Sequence, residues 1–452
     1  MVSLLLGRIA GQMLTVSLVL FVLSRYHSPQ LAGAAAFLLT FPGLLLSPIA
    51  GALLDRYGRA RLVTVDYAIG AAALVLMAGL SLAHALPAPV LLAICGVASL
   101  TAPLSAAGAR SLFPTIVPVR LWPRANALDS TTHVVASLIG APAGGVLVAL
   151  AGGEWALAAT AVLFACSAVA MLSVRDPGAR RSEGDVLRDA WAGLVYVVRN
   201  PTIRGIALTL SSFSAGWGCL AIAVPVLLLG RLHQGPATVG YLWGLMGAAG
   251  IVSALLTGRI RMAGRERRLM VASVLACGVA MAALPLAGSV IVVAVAMFAI
   301  GFVNGPFDVA LFTLRQRRTD PARFGRVFAV SMSLNMVGGP IGSAAAGPLI
   351  GWSLDAALWA AVVVTLVAAI FPIATIPAKD EPPNLGAERL AVGQQEDREQ
   401  TADRVQHDAD DAADQLTPPD GLDPIEQPDQ RQHVKDEIEE ERRHDRRYTD
   451  EA

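Results

Sequence analysis

Lysine is almost absent from this sequence of 452 residues: of its 35 basic side chains, only Lys379 and Lys435 are lysines. A P-loop that binds phosphate requires the pattern G-K-[ST], and Schiff-base catalysis requires a lysine amine. The chain also lacks the H-E-x-x-H zinc motif, an ATPase motif and a convincing catalytic triad. These absences exclude several enzyme classes, and we expect a protein that is not an enzyme.

Cysteine is scarce as well. The four cysteines lie far apart, each in an apolar run, and no C-x-x-C pair occurs. Neither a zinc site nor a disulfide framework is indicated, and we expect no metal and no cofactor. We interpret all four side chains as small buried hydrophobic groups. They are Cys95, Cys166, Cys219 and Cys277.

Charge is the third scarcity. Charged residues form only 15% of the chain and hydrophobic residues form 54%, whereas an average soluble protein has about 25% and about 45–50%. The formal net charge is zero, but residues 379–452 carry −13 and the rest of the chain carries +13. The apolar excess indicates a membrane protein, and the acidic tail 379–452 predicts a disordered cytoplasmic segment.

Long apolar runs fill the chain before Lys379. A helix that spans a bilayer needs about 20 mostly apolar residues. Charge clusters and turns rich in Pro, Gly and His divide the sequence into twelve such stretches, which predict an all-α membrane protein with twelve transmembrane helices. The stretches are 3–24, 31–54, 62–84, 89–111, 126–151, 154–174, 203–230, 236–258, 269–286, 289–314, 327–350 and 354–377.

Arginines in the loops between these stretches predict the orientation of the chain. One set of alternate loops holds 21 arginines, whereas the opposite set holds only Arg25 and Arg231. The positive-inside rule places the arginine-rich loops in the cytoplasm. We therefore expect a multi-pass protein of the cell inner (plasma) membrane with both termini in the cytoplasm.

The longest predicted inner loop divides the membrane part into two six-helix halves, 1–174 and 203–378. Apolar residues at helical spacing in the linker 175–202 predict an amphipathic helix at the membrane surface, with Trp191 at headgroup depth. A plain tether is the alternative. The domain organisation is therefore two halves, a linker and the acidic tail.

The two halves resemble each other in sequence. The pattern G-A-L-L-D-R at 51–56 matches S-A-L-L-T-G at 253–258 with an offset of 202 residues. Pro142 in the fifth stretch matches Pro340 in the eleventh with an offset of 198 residues. Two matches at nearly one offset support a duplicated six-helix unit with pseudo-symmetric halves, as in transporters whose site lies between two repeats.

The sequence G-A-L-L-D-R-Y-G-R-A-R at 51–61 occupies the predicted inner loop between the second and third helices. Its glycines permit close helix contact and a tight turn, its aspartate can cap a helix, and its arginines match the anionic inner leaflet. The segment closely resembles the signature loop of the major facilitator superfamily of secondary transporters. We expect its aspartate to face the start of the eleventh helix near Gly325 and Arg326. The gating residues are Gly51, Asp55, Arg56, Gly58 and Arg59.

Three further segments are similar to loops of one branch of that superfamily, the bacterial macrolide-efflux and enterobactin-exporter-like group. They are Leu112–Leu128, Tyr196–Arg204 and Gly325–Ala329. The stretch G-A-P-A-G-G at Gly140–Gly145 resembles the glycine-proline motif G-P-x-x-G-G of superfamily antiporters, with Pro142 one residue nearer to the glycine pair. Ordinary packing of small residues is the alternative.

Asp308 is the most informative polar residue within a predicted span. A carboxylate in the hydrocarbon region is costly unless it is paired, hydrated or protonated, and it therefore indicates function. Asn304 precedes it by one helical turn on the same face. We interpret Asp308 as the candidate for proton coupling, because an exporter driven by protons needs a group that loads and releases them. The alternative is a structural partner for an arginine.

Other polar residues in the predicted spans are candidates for a central substrate cavity, although hydrogen bonds between helices explain any one of them equally well. Asp66 and Asp129 are interpreted instead as partners of loop arginines. The cavity candidates are Gln12, His133, Trp217, Asn304 and Asn335.

These features predict a secondary active transporter that works by alternating access and exports a small amphipathic or hydrophobic compound, such as a drug or siderophore, in exchange for protons. The alternatives are a metabolite uptake transporter and a membrane receptor or assembly partner that acts through the acidic tail. The expected partners are a small-molecule substrate, protons and the lipid bilayer. We expect no nucleic-acid partner, and we expect a monomer.

Overall fold

The computed structural model describes residues 1–117, 121–174, 176, 195, 197–257, 265–318 and 334–377. Within these ranges the chain is almost entirely helical and has no strand, as the sequence predicts. The acidic tail lies outside the described residues. So does most of the predicted amphipathic helix of the linker, of which only the end, at 195 and 197–199, is described and helical.

Helices occupy each of the six apolar stretches of the first half. Two stretches contain a break, and Pro42 and Pro103 lie just after these breaks because proline cannot donate the hydrogen bond that would continue the preceding helix. The helices are α1 (Val2–Tyr26), α2 (Pro29–Leu38), α3 (Phe41–Tyr57), α4 (Arg59–Leu82), α5 (Ala88–Ser99), α6 (Ala102–Ile116), α7 (Trp122–Ala151) and α8 (Gly153–Leu172).

The second half is built in the same way. Its first helix continues into one π-helical turn (Leu227–Arg231), and its last predicted stretch is divided into two helices. The helices are α9 (Pro201–Val226), α10 (Pro236–Thr257), α11 (Glu266–Met281), α12 (Val290–Arg318), α13 (Gly338–Trp352), α14 (Leu354–Ala368) and α15 (Ile370–Thr375).

Ten helical stretches in the described part of the chain are long and apolar enough to cross a membrane. The other two predicted spans correspond to α11 and α13, which have 16 and 15 residues. Residues 258–264 and 319–333, before these helices, lie outside the description. The chain is thus an all-α multi-pass protein, and the total of twelve spans stays a prediction.

A polar cap starts one helix in each half, the second helix of the first half and the first helix of the second half. The Ser28 hydroxyl accepts a hydrogen bond from the Leu31 N–H (3.2 Å) at the start of α2. The Asn200 side chain accepts from the N–H groups of Thr202 (3.0 Å) and Ile203 (3.1 Å) at the start of α9. Each cap precedes a proline, whose fixed φ suits the first helical position.

The sequence predicts Arg315 in a loop, but this residue lies inside α12. The helix continues to Arg318, and Arg315 is the largest fully buried side chain, with 1% of its surface exposed. Its guanidinium carbon lies 6.0 Å from the centre of the Phe312 ring. The prediction was wrong because the first arginine after an apolar run resembles a loop residue, although helix packing extends beyond it.

The four cysteines are free, and Cys95, Cys219 and Cys277 are buried as predicted. The prediction is wrong for Cys166, which is exposed on α8. An apolar side chain on a membrane helix can face lipid as readily as the protein interior, so an apolar run alone does not establish burial. Among the described residues, no group of three or more His, Cys, Asp or Glu side chains is placed to hold a metal ion.

The two halves meet mainly through two helix pairs, α7 with α10 and α2 with α13. Glycines bring the backbones together at both places. A Cβ atom added to Gly145 would lie 2.8 Å from the Cα atom of Gly240, and one added to Gly33 would overlap the carbonyl oxygen of Ser343. These approaches leave no room for a side chain, so both contacts depend on glycine.

Both contacts lie at the same end of the bundle. Gly240 is one turn into α10, Gly145 is near the end of α7, and α2 ends before the break in the second stretch. The arginine pattern predicts that this end faces outside, and we call it the outer end. By contrast, α3, on the inner side of that break, packs against α2, α4, α5 and α6, all in the first half. The described contacts thus join the halves at the outer end.

Candidate functional site

The signature loop forms a tight turn between α3 and α4. Gly58 has φ 91° and ψ 136°, a conformation that residues with a side chain adopt only under strain. Its N–H donates a hydrogen bond to the Leu54 carbonyl (3.2 Å). Arg56 is exposed, and its guanidinium carbon lies 5.4 Å from the centre of the Tyr57 ring. The turn predicted at Gly58 is therefore present.

A carboxylate from outside the loop holds the start of α4. Asp176, shortly after α8, accepts hydrogen bonds from the N–H groups of Arg59 (2.6 Å) and Ala60 (3.3 Å). A carboxylate here satisfies helix donors that lack intrahelical acceptors and matches the helix dipole. This residue was missed in the sequence, where the capping role went to Asp55, although an aspartate directly before Pro177 was an available signal.

The remaining parts of the predicted gate have separate outcomes. The side chain of Asp55 is outside the described part of the chain, as are Gly325 and Arg326, so the contact expected between them stays a prediction. A Cβ atom added to Gly51 would meet no described atom within 4 Å. The close helix contact expected at Gly51 is thus not seen among the described residues and stays a prediction.

An ion pair joins α1 to α7. Arg8 Nη2 lies 2.7 Å from Asp129 Oδ1, and Arg8 Nη1 donates to the Asp129 carbonyl (2.7 Å) and to the Thr132 hydroxyl. Asp129 is paired, as predicted, but its partner lies in α1 and not in a loop. Gly140 explains the difference, because a Cβ atom there would lie 2.6 Å from the Cβ atom of Gln12, so α1 and α7 are in close contact.

Gln12 and His133 form an exposed polar surface near this pair. Gln12 lies one turn beyond Arg8, His133 follows Thr132, and both side chains are exposed. Gln12 Nε2 is 3.5 Å from the Ser137 hydroxyl. Polar side chains within membrane helices generally face the bundle interior or a water-filled cavity. Both residues therefore remain candidates for the substrate cavity.

Asp66 is enclosed between helices. Its residue surface is 8% exposed, and the nearby hydroxyl groups of Ser105 and Thr101 donate to the backbone carbonyls of Ala102 and Ala98. No ion pair to Asp66 occurs in the described part of the chain, so the predicted partnership with a loop arginine is not seen there. The reason is that α4 packs against α5 and α6, whose hydroxyl groups are the nearest polar groups.

Four aromatic side chains form a continuous row across α9, α10 and α12, which we call the aromatic row. The rings of Phe307 and Phe213 stack with centroids 4.7 Å apart. The Phe213 and Trp217 centroids are 6.2 Å apart, and the Trp217 and Trp243 centroids are 6.1 Å apart. Nε1 of Trp217 is buried and has no hydrogen-bond partner among the described residues, although a buried indole N–H usually finds an acceptor.

Asp308 follows the last ring of this row. Asp308 and Asn304 are both partly exposed and lie one turn apart on α12, as predicted. Neither side chain makes a hydrogen bond or ion pair with any described residue. Arg315 lies two turns further along the helix, roughly 10.5 Å along its axis. The alternative reading of Asp308 as a structural partner of an arginine therefore gains no support from these residues.

Asn335 differs from the other cavity candidates in its burial. It lies in a helical turn shortly before α13, and its surface is 0% exposed. Asn335 has polar contacts within the protein. In this conformation it does not reach an open surface, whereas Gln12 and His133 are exposed and Trp217 and Asn304 are partly exposed. Its place in a substrate cavity stays a prediction.

A helical bundle with two halves, a polar interior and a glycine-lined interface defines a class, the polytopic membrane transporters. The sequence model of the Major Facilitator Superfamily matches residues 1–343 and, in a second match, residues 206–400. The chain therefore belongs to the major facilitator superfamily, as its signature loop indicated.

Relatives of this chain include transporters named for efflux. An uncharacterized transporter of this superfamily, y4rN of Sinorhizobium fredii (strain NBRC 101917 / NGR234), is 39% identical over 380 residues, which cover 82% of this chain and 93% of the relative. The multidrug efflux pump Tap of Mycolicibacterium fortuitum is 26% identical, with coverage of 73% and 82%. The enterobactin exporter EntS of Shigella boydii serotype 4 (strain Sb227) is 27% identical, with coverage of 72% and 77%.

A solved structure supports the fold independently of sequence. The xylose transporter XylE from E. coli superposes with a TM-score of 0.65 and 11% sequence identity, over 84% of this chain and 96% of that chain. At that identity the likeness concerns the fold alone. The predicted class, an all-α membrane protein with the fold of this superfamily, is confirmed, and so is the resemblance to its efflux transporters.

Proposed function

We propose that this protein is a secondary active exporter of a small amphipathic or hydrophobic compound and that it works by alternating access. Two relatives named as an efflux pump and an exporter support the direction of transport. The contacts between the halves support the mechanism, because α7 with α10 and α2 with α13 close one end of the bundle through glycines. In this proposal the structure is the inward-open state, and the glycine contacts are the closed outer gate.

The proposed setting is the inner (plasma) membrane, with both termini in the cytoplasm. Of the 21 arginines that the sequence assigns to one set of loops, the 20 other than the buried Arg315 carry this proposal. A reporter fused after Ala378 should be active in the cytoplasm, and one inserted between Leu86 and Pro89 should be active outside. The opposite pattern would reverse the map and would turn the closed end into an inner gate.

Proton coupling through Asp308 completes the proposal. An unpaired, partly exposed carboxylate in a membrane helix can take up a proton from one side and release it to the other. In inverted vesicles, screened across antibiotics and siderophores, the wild type should move protons as substrate accumulates. Asp308→Asn should abolish accumulation against a gradient and retain downhill exchange, because the amide keeps the size and polarity of the side chain but cannot bind and release a proton.

Two controls make this test specific. Asp308→Glu should retain partial pumping, because it keeps a carboxylate on α12. Asp355→Asn removes an exposed carboxylate at the outer end, paired with Arg231, and should pump like the wild type. An Asp308→Asn protein that still concentrates substrate with wild-type pH dependence would contradict the coupling role.

Uptake of a metabolite is the second candidate, because the fold is shared with a xylose transporter. The direction of substrate movement under a proton gradient separates the two candidates. A receptor acting through the acidic tail is the third. Deletion of 379–452 should abolish the function of a receptor and leave an exporter active, whereas Asp308→Asn should have the opposite effects.

A further inference from the structure

The carboxylates within the membrane helices differ in how their charge is compensated. Asp129 is paired with Arg8. Asp66 is enclosed, with 8% of its surface exposed, and so is not accessible to a ligand. Asp308 is partly exposed and makes no ion pair or hydrogen bond with the described residues. Of these three groups, Asp308 is the one that offers an uncompensated negative charge to a ligand.

The aromatic row adjoins this charge. Phe307, the residue before Asp308, stacks on Phe213 in the core, where both rings are buried, and the row continues to the partly exposed Trp217 and Trp243. The face of an aromatic ring carries negative electrostatic potential and attracts cations, most strongly at Trp. The row lies on α9, α10 and α12, and α9 and α10 also contact α1 of the first half.

The wall contributed by the first half is electrically balanced. Arg8 is its charged residue nearest to Gln12, and the carboxylate of Asp129 neutralises it at 2.7 Å. In the second half, Arg315 is fully buried against Phe312 and lies two turns away from Asp308. An anionic ligand beside Asp308 would therefore meet a like charge without a compensating cation from these two described arginines.

We propose that Asp308 and the two partly exposed indoles of the aromatic row, Trp217 and Trp243, bind a lipophilic organic cation, with the buried rings of Phe307 and Phe213 packed between them. This inference rests on the proposed exporter, because it specifies the substrate of that exporter. The buried indole N–H of Trp217, which has no partner in the described part of the chain, adds a hydrogen-bond donor. The preferred ligand is thus an aromatic or macrocyclic cation that also carries an oxygen acceptor. Siderophore anions are disfavoured by the charge of Asp308.

Two probes of opposite charge test this proposal. Tetraphenylphosphonium and tetraphenylborate have nearly the same size and shape, so they separate the effect of charge from that of hydrophobic burial. Binding to the full-length protein in nanodiscs is measured by equilibrium dialysis, with empty nanodiscs as the blank for partition into lipid. We expect the cation to bind about tenfold or more tightly than the anion, since one desolvated charge pair supplies a difference of that order.

Substitutions then assign the surface to residues. Asp308→Asn should weaken tetraphenylphosphonium binding about tenfold at constant pH, and Asp308→Glu should retain most of it. Trp217→Leu should weaken cation binding several-fold, whereas Trp352→Leu, a matched control that is 83% exposed on α13, should not. Trp217→Phe keeps an aromatic ring but removes the N–H donor. It should weaken the binding of rhodamine 6G, which has an ester oxygen, but not the binding of tetraphenylphosphonium, which has no acceptor.

The outcomes separate this inference from the proposed function. Equal or tighter binding of tetraphenylborate, or unchanged cation affinity in both Asp308→Asn and Trp217→Leu, overturns the inference. Each variant is first checked for a monodisperse profile in gel filtration, and if Asp308→Asn does not fold, Trp217→Leu and Asp308→Glu decide. A protein that exports neutral or anionic compounds but does not bind the cation overturns the inference alone. A protein that binds the cation but exports nothing overturns the exporter alone.

Discussion

At the outer end of the first half, α1 ends at Arg25-Tyr26-His27, and at the outer end of the second half, the π-helical turn ends near Arg231-Leu232-His233, 206 residues later. His27 and His233 both have φ 51°, a left-handed conformation that stops the helix. The chain therefore leaves the first helix of each half in the same way, although neither half uses the glycine that usually occupies such a position.

At each of these ends, a side chain donates a hydrogen bond to the equivalent loop of its own half, but the donor groups differ. In the first half, the Tyr26 hydroxyl donates to the Leu86 carbonyl at 2.6 Å. In the second half, Arg231 donates to the Pro285 carbonyl at 3.2 Å and pairs with Asp355 at 2.6 Å. Both loops contain the sequence A-L-P, at 85–87 and 283–285. The two halves therefore share the position of this contact, but its donor is a tyrosine hydroxyl in the first half and an arginine guanidinium in the second half.

The interiors of the halves differ much more than their ends. The first half contains the Arg8–Asp129 pair with exposed amide and imidazole groups nearby, and the second half contains the aromatic row with Asp308. The comparison teaches that both halves must anchor their helix ends to keep the same fold, whereas their interior side chains are free to take separate tasks. The first half provides a balanced polar wall, and the second half provides charge and aromatic surface.

Breaking the buried pair of the first half should have the largest effect on stability. Asp129→Leu leaves the Arg8 guanidinium without its carboxylate in a site that is 14% exposed, and we expect a loss of about 3 kcal/mol. Thermal unfolding in detergent, followed by fluorescence-detected gel filtration, measures the loss. The double variant Arg8→Met/Asp129→Leu should recover most of the stability, because no uncompensated charge remains.

The matched control lies in the second half. Asp355→Leu breaks the Arg231–Asp355 pair, whose side chains are 34% and 49% exposed, and it should cost less than about 1 kcal/mol because water screens the charges. Equal losses in Asp129→Leu and Asp355→Leu would remove the distinction between interior and outer end.

Crowding the outer contact should shift the conformational equilibrium. Gly240→Leu places a side chain against Ala141, Pro142 and Gly145 and should destabilise outer closure by about 1–3 kcal/mol. In a cysteine-free background with Gln12→Cys, an impermeant maleimide added outside should then react several-fold faster. Gly11→Leu, at a glycine with open space around it, serves as the control. A faster maleimide reaction in the Gly11→Leu protein would show that labelling reports a general loss of helix packing and not the opening of the outer contact.

Neutralising the unpaired carboxylate of the second half should not destabilise the protein. Asp308 makes no ion pair with the described residues, so its removal leaves none of them with an uncompensated charge. Asp308→Leu should therefore raise stability by about 1 kcal/mol, in contrast to Asp129→Leu. The same thermal unfolding assay measures both. A loss of 2–3 kcal/mol, as expected for a broken pair, would mean that Asp308 has a structural partner and would end the contrast between the halves.

The smallest effect is expected at the outer end of the first half. Tyr26→Phe removes one hydrogen bond to the Leu86 carbonyl and should cost about 0.5–1.5 kcal/mol. Arg231→Gln in the second half should have an effect of similar size. If either change prevents folding, these contacts contribute far more to the stability of the protein than their hydrogen bonds alone would.

Local features of the protein were predictable from sequence because they depend on neighbouring residues. Apolar run length placed a helix in every predicted stretch, and glycine at position 58 marked a turn that only a positive φ allows. Asn304 and Asp308 lie one turn apart on α12 because helix periodicity is local. The match of the family model confirmed what the signature loop indicated.

Partners of polar groups were not predictable in this way. Asp129 pairs with Arg8 across 121 residues, and Asp176 holds Arg59 across 117 residues. Arg315 was assigned to a loop and is fully buried. Each of these outcomes depends on which helices pack together and at what rotation, and the apolar periodicity of membrane helices is too weak to determine the rotation.

The sequence by itself determined that this chain is a helical membrane transporter of the major facilitator superfamily, where its helices lie, and that Asp308 is an unusual charge among apolar residues. Only the tertiary structure decided that Asp129 is neutralised while Asp308 is not, that four aromatic rings from three helices form one row, and that glycines join the halves at one end. The physical reason is that hydrophobicity and backbone propensity act along the chain, whereas the compensation of a charge depends on groups that folding brings from distant positions.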